Sequence, residues 1–390
     1  MPHEHDVDRD RGFPAICLRM QHCETDLEDK LASRLTGARS WRWYPLVLFA
    51  ASRCCHLAFA LAAPLFGPRL GADPSLSPAF LQAYPTWAAL AHGDISNYAR
   101  IARAGYTVPG DYWCSLLFPS LGKGLGTVLG SVEIALFAIS LVFCAVAFVG
   151  VYRVIEELCD AVAARWGLAL LAAFPLSYHL SDGTALGALV AFSAWGILLA
   201  ARGRRWAAAL VVSLGVLAHP LCVFSGIAIA WSPVSRVAQG PGLTGTWRSR
   251  LLALVPVAVL FSFMGWLVSG RHFAAKSMLD AVFPSKADVL PESWYAIMVV
   301  FGGLLGAGAL IMTRRPGQRI LAIVAAAQLL FASAAREPSS AYALAACWPA
   351  FLGLGDLLAR RDVLRGPAIA MLATHQGLLF YCFTHFLRLA

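Results

Sequence analysis

Apolar runs of membrane-spanning length recur along the chain beyond residue 43, separated by short polar clusters. A helix needs about 20 mostly apolar residues to cross roughly 30 Å of hydrocarbon. Runs of this kind, some of them short, fall at 44–66, 131–151, 167–181, 184–201, 206–231, 251–270, 293–313, 320–335, 342–359 and 366–388. They predict an all-α polytopic membrane protein, a bundle of about 10–11 transmembrane helices. Two of the runs are broken by proline, at Pro175 and at His219-Pro220. Proline removes a backbone donor and kinks or splits a helix. Inside a membrane, such a break persists only where protein or a water-lined cavity satisfies the freed groups.

Two stretches depart from the pattern. Residues 1–43 mix Glu4, Asp6, Asp8, Asp10, Glu24 and Asp26 with Arg and His, and hold no long apolar run. They are expected to form a flexible cytoplasmic tail without a signal peptide, leaving 44–390 as the membrane domain. Residues 67–130 are polar and aromatic, and predict a long first non-cytoplasmic loop with interfacial helices. Composition agrees with this division. The 390 residues are 59% hydrophobic and 14% charged, against roughly 45–50% and about 25% in soluble chains, which excludes a water-soluble multidomain enzyme.

The net charge of +9 comes from Lys and Arg scattered in pairs and triplets between the apolar runs. That is the distribution of the positive-inside rule, and it argues against nucleic acid as a partner. Taking 206–231 as two half-helices that turn back at His219-Pro220 puts Arg153, Arg202, Arg204, Arg205, Arg314, Arg315, Arg360 and Arg361 inside. The N-terminus is then cytoplasmic, and the 67–130 loop, the Tyr178–Thr184 turn and the His219-Pro220 break share the outer face. Irregular backbone converging there suggests a cavity. Arg53, a lone cation within the first span, is costly in hydrocarbon and is expected to pack toward the bundle interior. The ten cysteines form no Cys-x-x-Cys; Cys144, Cys159, Cys222, Cys347 and Cys382 sit in or beside apolar runs and are read as small hydrophobes, and no metal site is read from the chain.

Candidate chemistry concentrates in the outer loop, over His92-Gly93-Asp94-Ile95-Ser96-Asn97-Tyr98-Ala99-Arg100-Ile101-Ala102-Arg103-Ala104-Gly105-Tyr106. Tyr98, Ile101, Ala102 and Gly105 recur at helical spacing, a face that can lie on the membrane surface. Asp94 stands just ahead of that helix. It is either a cap for free N–H groups or a general base at the mouth of a cavity. Arg100 and Arg103 either grip lipid head groups or hold the phosphate of a lipid substrate. Asp182, three residues after His179, caps its own turn or else supports Asp94 or a divalent cation.

This segment resembles the first luminal loop of the PIG-V-like mannosyltransferases, a branch of the GT-C membrane glycosyltransferases. Asp94 falls on the family's signature aspartate, and Tyr98 through Tyr106 matches its Tyr-x-x-Ile-Ala-x-x-Gly-Tyr element. Leu117-Phe118-Pro119 follows where the family has Phe-Phe-Pro. Ala173-Phe174-Pro175-Leu176-Ser177-Tyr178, Arg202 through Pro220, and Ser340 through Pro349 resemble later elements in the same order. The chain departs at Gly93 (tryptophan in the family), Leu117 (phenylalanine) and His219 (arginine). It also lacks the Thr-Glu-Ser that often follows the Pro-x-Ser turn.

The resemblance implies an inverting transfer of a sugar, mannose in that family. The donor is a polyprenyl-phosphate sugar and the acceptor, lipid- or protein-linked, lies on the non-cytoplasmic side. Asp94 would be the base, and His92, Arg100, Arg103, Lys123, His219 and Arg336 would be partners of the donor phosphate. Tyr98, Tyr106, Phe118 and Asp182 would support them. The chain holds no glycine-rich loop for a nucleotide sugar, in keeping with a lipid-borne donor. The Ala-, Arg- and Leu-rich composition points to a bacterial plasma membrane. Two other readings stay open: a GT-C-like lipid-binding protein without catalysis, and a transporter or flippase.

Overall fold

The computed structural model describes residues 43–62, 65, 95–107, 111, 114–231, 247–269, 292–314, 318–334 and 343–384. Among these the chain is helical throughout, with no strand. In order the helices are α1 (Tyr44–Ala62), α2 (Ile95–Ala104), α3 (Leu117–Leu129), α4 (Val132–Leu158), α5 (Ala161–Ala173), α6 (Leu186–Ala201) and α7 (Arg205–Ala218). They continue with α8 (Gly226–Ala230), α9 (Trp247–Ser269), α10 (Glu292–Thr313), α11 (Arg319–Ala334), α12 (Pro349–Arg360) and α13 (Asp362–Thr384). Three carry windows long and apolar enough to cross a membrane unaided: α1, α4 and residues Arg250–Ser269 of α9. Helices α5, α6, α7, α10 and α11 contain apolar segments of 10–17 residues. This is an integral membrane protein. The tail, residues 1–42, lies outside the described residues.

The ends of the helices follow local chemistry. Gly130, at φ 75°, ends α3 in the left-handed conformation open to glycine. The next residue, Ser131, accepts the Ile134 N–H and starts α4. Asp160 accepts the Ala163 N–H at 2.8 Å and starts α5. The run expected at 167–181 is therefore corrected at both ends. The helix begins at Ala161 and stops at Ala173, ahead of Pro175, and Ser177–Leu180 form one 3-10 turn. At 1.5 Å per residue its thirteen residues reach only about 20 Å, so the polar turn lies within the bundle. The expected break at His219-Pro220 is present: α7 ends at Ala218, and Pro220–Ser225 form a 3-10 segment before α8. The last two runs also start elsewhere than expected, α12 at Pro349 and α13 at Asp362.

Helix α6 is apolar on every side and buried nearly all round, the mark of a core helix. Its one hydroxyl is satisfied. Ser193 accepts from Trp348 Nε1 at 3.0 Å and from Ser225 Oγ at 2.7 Å, which ties two irregular segments to α6. Around it, helices approach at glycine. A Cβ on Gly355 of α12 would meet the Ala163 carbonyl at 2.5 Å and the Gly167 nitrogen at 2.6 Å on α5. A Cβ on Gly353 would collide with the Gly308 carbonyl on α10. Glycine here is what lets the helix backbones touch.

Candidate functional site

Helix α2 presents one apolar face, and the bundle takes it. Ile95, Tyr98, Ala99, Ile101 and Ala102 are buried. All but Ala102 join Tyr106, Phe118, Leu136, Ala185, Ala188, Ala218 and Phe263 in a single cluster. The face expected to lie on the membrane surface is thus seated on protein. Tyr98 meets Phe118 edge-on, with ring centroids 5.1 Å apart. Tyr106 donates to the Cys114 carbonyl at 2.9 Å and packs against Phe263 and Trp266. Burial raises the Tyr106 phenol pKa above its ordinary value, so it serves as a neutral donor. Gly105, at φ 78°, turns the chain between helix and tyrosine.

The two arginines of α2 are both engaged by carboxylates. Arg100 forms a two-pronged ion pair with Asp111 and donates to Thr107 Oγ1 at 2.7 Å, and Asp111 also accepts the Thr107 N–H. The hydrogen bond to Asp111 raises the guanidinium pKa. Arg103 Nη2 contacts both oxygens of Glu133, at 2.6 and 2.5 Å, and so fastens α2 to the start of α4. A donor phosphate at either arginine would compete with a carboxylate already in place.

Arg103 is 46% exposed while Glu133 is 2% exposed, so the burden of the pair falls on the acid. Arg103→Met leaves a buried carboxylate uncompensated. It is expected to destabilise the protein by about 2 kcal/mol, less than a fully buried pair because water reaches the arginine. Adding Glu133→Gln should recover about half of that loss. Thermal unfolding of the two single mutants and the double mutant in detergent measures the coupling. A coupling of zero would make the contact incidental.

Opposite the start of α2 lies the turn between α5 and α6. Asp182 accepts from the Thr184 N–H at 3.1 Å through one oxygen, and its other oxygen lies 2.5 Å from His179 Nδ1. Thr184 Oγ1 donates to the His179 carbonyl. All three side chains are buried. Gly183 has φ 93°, and a Cβ there would run into Ile95. The turn that carries Asp182 therefore sits directly against the residue that follows Asp94 in sequence.

The expected site residues divide accordingly. Asp94, His92 and Arg336 lie outside the described residues. Tyr98, Tyr106 and Phe118 build the seat of α2, and the turn that bears Asp182 meets its start at Gly183, while the Asp182 carboxylate itself is held by His179 and Thr184. Lys123 is exposed on α3. His219 is buried and caps the 3-10 segment after α7, accepting the Leu221 N–H at 3.3 Å. Among the described residues, no three acids, histidines or cysteines converge to hold a cation. Both oxygens of Asp182 are already engaged.

One group was assigned no chemistry from sequence. Arg53, buried at the tenth position of α1, donates to the Ser177 carbonyl at 3.1 Å and to Ser181 Oγ at 2.7 Å, in the same polar turn. A lone cation inside an apolar run was its signal.

No family model matches the sequence, and no curated protein does either. Solved structures do resemble this fold. ArnT from Cupriavidus metallidurans, bound to undecaprenyl phosphate, superposes with a TM-score of 0.54 at 14% identity, over 87% of this chain and 76% of that one. The fold is that of the GT-C membrane glycosyltransferases. The archaeal oligosaccharyltransferase AglB from Archaeoglobus fulgidus, in complex with an inhibitory peptide and a dolichol-phosphate, gives 0.47 at 14% identity. That match covers 88% of this chain and 56% of AglB, so the chain spans about half the length of that enzyme.

Proposed function

We propose that this protein is an integral-membrane glycosyltransferase that moves a sugar from a polyprenyl-phosphate donor to a lipid- or protein-linked acceptor. The observation that carries the reading is the seating of α2. In a fold shared with a protein that binds undecaprenyl phosphate, the helix following Asp94 is held in the bundle by Tyr98 on Phe118 and by Tyr106 on Phe263, and its first residue, Ile95, packs against Gly183 of the polar turn bearing Asp182. In the transfer, Asp94 takes the proton of the acceptor hydroxyl. The acceptor oxygen bonds to the anomeric carbon, and the bond to the phosphate oxygen breaks with its electron pair leaving on the phosphate, which gives inversion. Such a base contributes about 10²–10⁴-fold, and cationic groups near the departing phosphate stabilise its charge.

Mannose is the sugar that the sequence resemblance supports. A bacterial plasma membrane, with the N-terminus cytoplasmic and the site on the other face, completes the reading. A second reading, a lipid-binding relative without transfer, draws on the carboxylates that occupy Arg100 and Arg103. The two are separated by incubating the purified chain in detergent with radiolabelled polyprenyl-phosphate mannose and a membrane extract as acceptor. Label in a new lipid or protein product supports transfer. Label that stays bound and unconverted supports the second reading.

A further inference from the structure

The turn between α5 and α6 is held from three sides, by α1, α4 and α13. Where a helix breaks inside a membrane bundle, protein must meet the freed carbonyls. Here the donors are side chains. Gln376 Nε2 of α13 donates to the Ala172 and Phe174 carbonyls, each at 3.0 Å, and Ser140 Oγ of α4 donates to the Leu180 carbonyl at 3.3 Å. Within the turn, Ser181 Oγ donates to the Tyr178 carbonyl and Thr184 Oγ1 to the His179 carbonyl. All of these donors are neutral. The Ser177 carbonyl is served by a cation, Arg53 of α1.

A cation in the first span is costly, and neutral donors satisfy the neighbouring carbonyls, so meeting one carbonyl does not account for an arginine. Its geometry does. Arg53 Nη1 donates to the Ser177 carbonyl at 3.1 Å and to Ser181 Oγ at 2.7 Å. Ser177 is the first residue of the 3-10 turn and Ser181 the residue that closes it. The guanidinium lies over the Phe148 ring of α4, 5.7 Å from its centroid. A planar fork of N–H groups, set on an aromatic face, spans both ends of the turn and fixes the distance between them. Two residues past Ser181, Gly183 bears on Ile95 with no room for a Cβ. Ile95 follows Asp94, and adjacent α-carbons are about 3.8 Å apart, so the setting of the turn is passed to the start of α2.

We propose that Arg53 is a positioning residue for sugar transfer: by spanning Ser177 and Ser181 it sets Gly183 against Ile95, and so aims the Asp94 carboxylate at the acceptor hydroxyl. Arg53 touches neither donor nor acceptor and acts through Asp94. The part played by Asp94 rests on the transfer reading; the link from Arg53 to the start of α2 does not.

The test uses the full chain in detergent and two variants, Arg53→Met and Ser181→Ala. The second keeps the arginine and removes one end of its span, so the question stays decidable even where Arg53→Met fails to fold. Hydrogen exchange is read at the helical amides of α2, residues 99–105, with α12 as the internal reference. Exchange in α2 should quicken about tenfold while α12 keeps the parent rate. In the transfer assay kcat should fall about tenfold to a hundredfold, the cost of a misplacement near 1 Å, and KM for the donor should hold within about twofold. In an Asp94→Asn background neither variant should lower the rate further. A merely structural Arg53 would lower the unfolding temperature and leave kcat of the folded protein alone. The proposal is overturned by parent-like exchange in α2, by a change in KM with kcat intact, or by an equal loss of kcat in the Asp94→Asn background. A parent chain that transfers no sugar sinks the transfer reading, and the exchange data then decide the link by themselves.

Discussion

Asp94→Asn is expected to lower sugar transfer at least a hundredfold while leaving the protein folded and able to bind its donor. The substitution keeps the size of the side chain and most of its hydrogen bonding but removes the basic oxygen. A general base contributes about 10²–10⁴-fold. The measurement is the initial rate with labelled polyprenyl-phosphate mannose, compared with the unfolding temperature and with donor retained by the mutant. A carboxylate that merely caps α2 would give another signature: a cap costs about 1 kcal/mol of stability, and asparagine caps about as well as aspartate. Both rate and stability would then stay near those of the unaltered chain. A large fall in rate at constant stability assigns the base.

The largest loss of stability is expected at Gly355. Its α-carbon faces the backbone of α5 so closely that a Cβ would stand 2.5 Å from the Ala163 carbonyl and 2.7 Å from the Gly167 α-carbon. Neither neighbour is a side chain that can rotate away. Two residues earlier, Gly353 makes the same kind of approach to Gly308 on α10. Helix α12 is therefore wedged between two backbones and has no slack in either direction. Overpacking a core costs about 1–3 kcal/mol where side chains can move. Gly355→Val, which must separate two helices, is expected to exceed that range. In detergent it should unfold well below the unaltered protein or fail to yield a monodisperse peak. Gly366, with open space around its position, is the control: Gly366→Ala should unfold within a degree or two of the parent.

Sequence legibility followed the range of the forces. Pro175 and Pro220 lie at breaks in the structure, whereas Pro256 sits inside α9 and Pro367 inside α13, so the missing donor marks a break only where the polar residues beside it offer the chain another way to turn. The first helix, the long fourth helix and the apolar core helix α6 are plain in the run lengths. The start of α5 is less so. The apolar run suggests Gly167, yet Asp160 is a good capping residue and marks the start six residues ahead of it. The partners of the polar side chains are not legible at all. Glu133 lies 30 residues from Arg103, and Ser181 lies 128 from Arg53. Pairing over such separations is decided by how helices stack, which no local pattern records. The resemblance to a known loop supplied the order of the motifs but did not foretell that Arg100 and Arg103 meet carboxylates.

The separation between Arg53 and its acceptors also sets a schedule for biosynthesis. Ser177, whose carbonyl Arg53 contacts, is translated 124 residues later. At about 5–20 residues per second, α1 waits for on the order of 6–25 s before the oxygens that satisfy its guanidinium have been made. An arginine near the centre of an inserting helix costs about 2.5–3.5 kcal/mol by insertion scales. The newborn helix therefore has every reason to linger beside the insertion machinery, or to draw water toward it, until the fifth helix and its turn arrive to release it into the bundle.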